Sequence, residues 1–175
     1  MYDTGISSQE RGKTMAKTLV LYFSVYGTAK KTAEEIARQT GADLEEIVPV
    51  TSYDSNRDHY STLARRAKAE HDRDERPAIK NPIDLSGYDT VFLGYPMWWY
   101  TFPMIIYTLL ESYDFTGKTI IPFNTHMGSG DGGTYKTVQD LAPGAVVKQG
   151  LTIEMSDTEK GDPDAIAKWL KAVCF

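Results

Sequence analysis

The sequence predicts an α/β fold, a single domain built on a doubly wound, five-stranded parallel sheet in strand order 2-1-3-4-5. Short apolar runs without polar alternation, at Leu19–Phe23, Thr90–Leu93 and Thr119–Phe123, read as strands buried on both faces, as in parallel sheets. Helical spacing recurs between the strands, so five strands alternate with five helices along the chain. At 175 residues the chain suits one domain with a sizeable core.

The first strand runs straight into Ser24-Val25-Tyr26-Gly27-Thr28-Ala29, a hydroxyl-bearing turn. A helix leaves it, with Ala29, Ala33, Ile36 and Ala37 on the inner face. The unpaired N–H groups and positive dipole end of that helix suit a phosphate. No Gly-Lys-Ser/Thr follows at Walker spacing, and the three glycines of the dinucleotide fingerprint are missing here. The cradle would consist of main-chain N–H groups and the hydroxyls of Ser24, Tyr26 and Thr28.

Asp43–Val48 is a short second strand, and Glu45 and Glu46 mark it as an edge. A polar connection over 49–57 leads to a helix starting near Asp58, with Tyr60, Leu63, Ala64 and Ala67 inward and its charged residues in water. Pro77 and Pro82 punctuate the chain before the third strand, which ends at Gly94-Tyr95-Pro96. A third helix is expected from near Thr101, with Pro103 in its first turn, where a missing N–H costs nothing. Pro122 sits awkwardly in the fourth strand, because it cannot donate to the ladder, and predicts a local irregularity. A glycine-rich loop over 125–133 precedes a short helix ending near Leu141. Ala145–Ile153 is the last strand, broken by Gly150. Asp162-Pro163 opens the last helix as cap and first-turn proline, and Ile166, Trp169, Leu170 and Val173 form its inner stripe.

The net charge of −5 and a pI of about 5.2 disfavour nucleic acid and anionic membrane surfaces. The single cysteine, Cys174, excludes an internal disulfide and most cysteine metal sites, and fits a reducing cytoplasm. No apolar run approaches a membrane span. Residues 1–16 are polar, with neither a signal core nor a helical period, and are expected to form a disordered extension to a domain over 17–175.

In a doubly wound sheet, ligands sit beyond the carboxyl ends of the strands at the topological switch point. With strand order 2-1-3-4-5, three unusual loops converge there: Ser24–Ala29, Tyr95–Tyr100 and Thr125–Asp131. The second carries three consecutive aromatic residues, Trp98, Trp99 and Tyr100, which cannot all point inward. They either wall a flat ligand or divide between core and surface. The third contains G-x-G-x-x-G at Gly128, Gly130 and Gly133, but at the fourth strand and with Asp131 facing any pyrophosphate, which counts against a dinucleotide. His126 is open to three readings: a ring contact, a proton donor to substrate, or a hydrogen-bonded loop residue. No cluster at metal-ligand spacing and no activated nucleophile stands out, so neither a metal site nor a catalytic residue is named.

Together, LVLYFSVYGTAKKTAEEIA, RAKAEHDRDERPAIK, FLGYPMWWYTFP and IPFNTHMGSGDGG resemble the flavodoxin family, and within it the short-chain bacterial flavodoxin-like proteins, many described as NAD(P)H-dependent oxidoreductases. The resemblance runs from about Lys17 to the end of the chain and implies FMN as cofactor. By position, Ser24, Tyr26, Gly27, Thr28, Ala29 and Lys30 match the phosphate loop. Pro96, Met97, Trp98, Trp99 and Tyr100 match the loop along the isoalloxazine ring. Thr125, His126, Gly128, Ser129 and Gly130 match the loop near its pyrimidine side.

The family usually has Thr, Asn and Thr where this chain has Tyr26, Thr28 and Ala29. Ala29 removes a hydroxyl hydrogen bond with a net value of about 0.5–1.5 kcal/mol, so weaker phosphate binding is expected. Acidic surroundings, including Asp131, are expected to lower the flavin potential. In many flavodoxins a peptide of the second loop flips on reduction, at a residue that tolerates positive φ. No glycine lies between Tyr95 and Thr116, so two-electron chemistry is expected over one-electron shuttling. The resemblance leaves three classes: an electron carrier docking a redox partner protein, an enzyme taking hydride from a nicotinamide cofactor for a quinone-like acceptor, and an interaction module without cofactor.

Overall fold

A parallel sheet runs through the chain in the expected order, seen in a computed structural model that describes residues 17–155, 162–173 and 175. The expected extension over 1–16 lies outside the described residues. Strand β1 (Thr18–Tyr22) is central and pairs with β2 (Asp43–Glu46) on one side and β3 (Thr90–Pro96) on the other. Strand β4 (Thr119–His126) pairs with β3 along its whole length, from Thr90 opposite Thr119 to Pro96 opposite Thr125. As its carboxylates imply, β2 lies at an edge, paired only with β1.

Alternation along β1 separates two cores. Leu19, Leu21 and Phe23 face one side, with α2 (Tyr60–Asp72), α3 (Met104–Ser112) and α4 (Thr134–Leu141) supplying Leu63, Ile105, Ile106 and Val138. Val20 and Tyr22 face the other, against Ala33 and Ile36 of α1 (Thr28–Thr40) and Ile166, Trp169 and Leu170 of α5 (Pro163–Ala172). Packing at the centre is close: a Cβ on Gly94 of β3 would stand 2.1 Å from the Phe123 ring opposite it on β4. Helix α5 starts as expected, with the Asp162 carboxylate accepting from the N–H groups of Asp164 and Ala165 and Pro163 in the first turn.

The expected last strand is two strands. β5 (Val146–Val147) and β6 (Leu151–Glu154) both pair with β4. Val147 lies opposite Ile120 but Leu151 lies opposite Phe123, so four steps along the edge match three along β4. This is a bulge of one residue, and Pro122 is its cause. The carbonyls of Lys118 and Ile120 accept from the N–H groups of Val146 and Lys148, so the missing N–H of Pro122 falls on this same side of β4. The irregularity expected in β4 is thus carried by its neighbour. Gly150 fits the bulge because a Cβ there would lie 2.4 Å from the Tyr135 ring and 2.8 Å from the Pro122 carbonyl oxygen.

Strand β2 stops at Glu46, two residues short of expectation, and three boundaries nearer the cleft differ as well. Helix α2 begins at Tyr60, behind a 3-10 turn over Arg57–His59 capped by the Asn56 side chain. Helix α3 begins at Met104, because Pro103 holds extended backbone (φ −56°, ψ 146°) at the cap and Thr101 closes a tight turn with Trp98. Strand β4 continues past Phe123 through Asn124 and takes in Thr125 and His126, expected in the glycine-rich loop. Among the described residues, no helix is long and apolar enough to cross a membrane.

Candidate functional site

At the carboxyl ends of β1, β3 and β4 the three loops enclose a cleft of about 650 Å³. Of the residues expected at a ligand site, Tyr26, Thr28, Pro96, Met97, Trp98, Trp99, Tyr100, Thr125, His126, Gly128 and Ser129 line it. Ser24, Gly27, Ala29, Lys30 and Gly130 do not. Ser24 Oγ accepts from the Gly27 N–H at 3.1 Å and so braces the turn from within. Gly27, at φ 81°, caps α1, and the first bond of the helix runs from the Lys31 N–H to its carbonyl. The N–H groups of Thr28, Ala29 and Lys30 therefore have no intrahelical acceptor. The Ala29 side chain is buried under the helix and Lys30 is exposed. The Gly130 carbonyl accepts from Asn124 Nδ2 at 3.0 Å.

The loop after β3 is a closed hairpin. The N–H and carbonyl of Trp98 both bond to Thr101, at 2.8 and 3.1 Å, and the two residues between them take positive φ: 51° at Trp99 and 64° at Tyr100. This is the backbone of a type I′ turn, normally made by Asn-Gly. The three aromatic residues divide unevenly. Trp98 packs edge-on against Phe23 and Tyr53 at centroid distances of 5.5 and 5.2 Å. Trp99 is 43% exposed, donates Nε1–H to the Ala64 carbonyl at 3.0 Å and lies 5.6 Å from Lys68 Nζ. Tyr100 is 79% exposed.

Beneath the glycine loop is a buried polar web. Tyr135 donates to Asn124 Oδ1 at 2.6 Å, the hydroxyls of Tyr95 and Thr134 pair at 2.9 Å, and Thr134 Oγ1 donates to the Asp131 carbonyl at 2.7 Å. Burial pushes the Tyr95 and Tyr135 hydroxyls well above the usual phenol range, so both stay protonated donors. His126 Nδ1 accepts from the Gly128 N–H at 2.9 Å, which places the proton of the neutral ring on Nε2.

Among the described residues, two hydroxyls at the cleft are buried without a partner: Tyr26 Oη and Thr125 Oγ1. Thr125 is 1% exposed. Burial, and then the charge of Asp54, raise the Tyr26 phenol above its ordinary value.

Sequence reasoning missed the wall supplied by the 3-10 turn and α2: Arg57, Tyr60, Leu63, Ala64 and Ala67 line the cleft, with Val25, Met127 and Met155. The helical spacing of Leu63, Ala64 and Ala67 marks an inner face, but nothing local ties that face to the cleft. The described lining residues carry one arginine, one histidine and no carboxylate, despite the chain's net negative charge. Asp131 is not among them, so the acidic surroundings expected of the site are not found there.

A doubly wound sheet with its cleft at the carboxyl ends of the central strands is an α/β protein of the nucleotide-binding architectural class. The family model described as flavodoxin matches residues 17–173, and the chain belongs to the flavodoxin family. Among solved structures, a candidate flavoprotein from Bacteroides eggerthii is similar at 34% identity and TM-score 0.78, over 91% of this chain and 99% of that one. A flavoprotein in complex with FMN from Lactobacillus acidophilus is similar at 25% identity and TM-score 0.66, over 88% and 98%. A curated relative, an NAD(P)H dehydrogenase (quinone) from Gluconacetobacter diazotrophicus, is 33% identical over 87 residues, which are 47% of this chain and only 39% of the length of that protein.

Proposed function

We propose that the chain binds FMN in this cleft and carries electrons in redox metabolism. The N–H groups that open α1, with Tyr26 and Thr28, would hold the phosphate. The 96–100 hairpin and the 125–130 segment would hold the ring system. One observation carries the reading: Tyr26 Oη and Thr125 Oγ1 are buried at the cleft with no partner among the described residues. A buried, unsatisfied hydroxyl costs about 1–3 kcal/mol, a cost a polar ligand removes. The rest of the lining suits the cofactor too, with flat aromatic walls, a helix N-terminus, one guanidinium and no lining carboxylate among the described residues.

When bound, FMN supplies the redox chemistry. The chain binds and orients it. Trp98, held edge-on by Phe23 and Tyr53, fixes one wall, and His126 offers Nε2–H as a donor. In the hairpin, the Met97 N–H is taken by the Thr125 carbonyl at 2.8 Å, and both main-chain groups of Trp98 by Thr101. Rotating any of the three peptides from Pro96 to Trp99 would break one of these bonds, which favours two-electron chemistry; a redox titration resolving two separate one-electron steps would count against it.

A second reading, an NAD(P)H-dependent FMN oxidoreductase of quinone-reductase type, is favoured by the cleft mouth. Tyr60, Trp99, Tyr100 and Met127 line it and are all exposed, giving a planar second substrate an apolar landing place. Titrating the purified chain with FMN tests the first reading through quenching of tryptophan emission; no heat and no quenching at saturation would overturn it. Anaerobic mixing of the loaded protein with NADPH separates the two. Bleaching without a partner protein means enzyme, and persistent yellow means carrier.

A further inference from the structure

We propose that Arg57 is the residue by which this chain tells a flavin phosphate from an unphosphorylated flavin; the proposal rests on the FMN reading above. The phosphate loop lacks a cation of its own at the cleft: Lys30 is exposed on α1 and does not line it. Arg57 comes from the 3-10 turn before α2, thirty-one residues away in sequence, and lines the cleft beside Tyr26 and Thr28. Its guanidinium is held twice to the loop. Nη2 donates to the Tyr26 carbonyl at 3.3 Å, and the guanidinium carbon stands 5.2 Å from the centre of the Tyr26 ring.

That placement leaves the charge unspent. Arg38, Arg66, Arg73 and Arg76 each pair with a carboxylate, whereas Arg57, like the exposed Arg65 away from the cleft, pairs with none among the described residues. The carboxylate that acts on Tyr26, Asp54, is engaged by His59 at 2.8 Å and by the Asn56 N–H at 2.9 Å. A guanidinium has five N–H donors in a planar fork, and the Tyr26 carbonyl uses one. The others suit two phosphate oxygens. In this arrangement the bulky Tyr26 serves as the platform that aims Arg57, and the cation offsets the hydroxyl that Ala29 does not supply.

The test is a fluorescence titration of the full chain and of the Arg57→Ala and Arg57→Lys variants with FMN and with riboflavin, at low and high salt. The expected result is that Arg57→Ala weakens FMN binding about tenfold at low salt, the effect of one exposed charge-assisted contact. Riboflavin affinity should stay within about twofold, the salt dependence of FMN binding should flatten, and Arg57→Lys should fall between. Equal losses for FMN and riboflavin would overturn the proposal, since Arg57 would then only prop the Tyr26 ring. Unchanged FMN affinity would overturn it as well, as would a parent chain that binds riboflavin as tightly as FMN. A parent chain that binds neither would overturn the flavin reading itself, and this proposal with it.

Discussion

The loops after β1 and β3 meet at one cleft and solve the same backbone problem in opposite ways. Both need positive φ, the first at the cap of α1 and the second at the centre of a tight turn. The first puts glycine there: Gly27 sits at 81°, with nothing within 4 Å of where a Cβ would stand. The second puts aromatic residues there: Trp99 at 51° and Tyr100 at 64°, at a cost of about 1–2 kcal/mol per residue in the left-handed region. The difference follows from what each loop offers. The first presents main-chain N–H groups, for which side chains are dispensable. The second presents rings, and a glycine would leave the cleft without that wall. Strain is tolerated where the side chain is the purpose.

The largest effect expected from this comparison lies where the strained hairpin rests on the glycine loop. A Cβ on Gly132, at φ 55°, would meet the Tyr100 carbonyl oxygen at 2.6 Å and Met97 Cε at 2.8 Å. Gly132→Ala should lower stability by about 2–3 kcal/mol, from backbone strain and overpacking together, as read by urea unfolding. A loss below about 0.5 kcal/mol would mean that the hairpin floats free of its support.

Thr125→Val comes next and moves two readouts in opposite directions. It keeps the shape of the side chain and removes the orphaned hydroxyl. Without ligand the chain should become more stable, by up to about 1 kcal/mol, while FMN binding weakens about tenfold. A drop in both would give Thr125 an ordinary structural role.

Much of this is legible in the sequence, and the exceptions have physical reasons. The strands buried on both faces follow from runs such as Leu19–Phe23 that admit no polar residue, and the α5 start from Asp162-Pro163. Thr125 reads as loop because it opens a glycine-rich stretch, and Asn124 falls just outside the expected strand. They are buried strand residues, Asn124 holding Tyr135 and Gly130 and Thr125 facing the cleft. Arg57 reads as the end of a polar connection, since nothing local shows that its turn folds over Tyr26. The handedness of Trp99 and Tyr100 carries no glycine to announce it. Pro122 does announce a defect, but only pairing geometry decides that the neighbouring edge bears it.

The smallest effect is the sharpest, because it asks for a change of sign. Gly27→Ala should lower stability by about 1 kcal/mol, from backbone conformation alone, because the added methyl meets no neighbour. Tyr100→Gly should raise it by about 0.5–1 kcal/mol, since the ring is 79% exposed and little packing is lost when φ 64° is relieved. The same variant should bind FMN more weakly, having lost part of its wall. Denaturant midpoints of the two variants against the parent decide the matter. If Tyr100→Gly is also destabilising, the tyrosine holds the turn together, and the left-handed pair is a feature of folding with no bearing on the ligand.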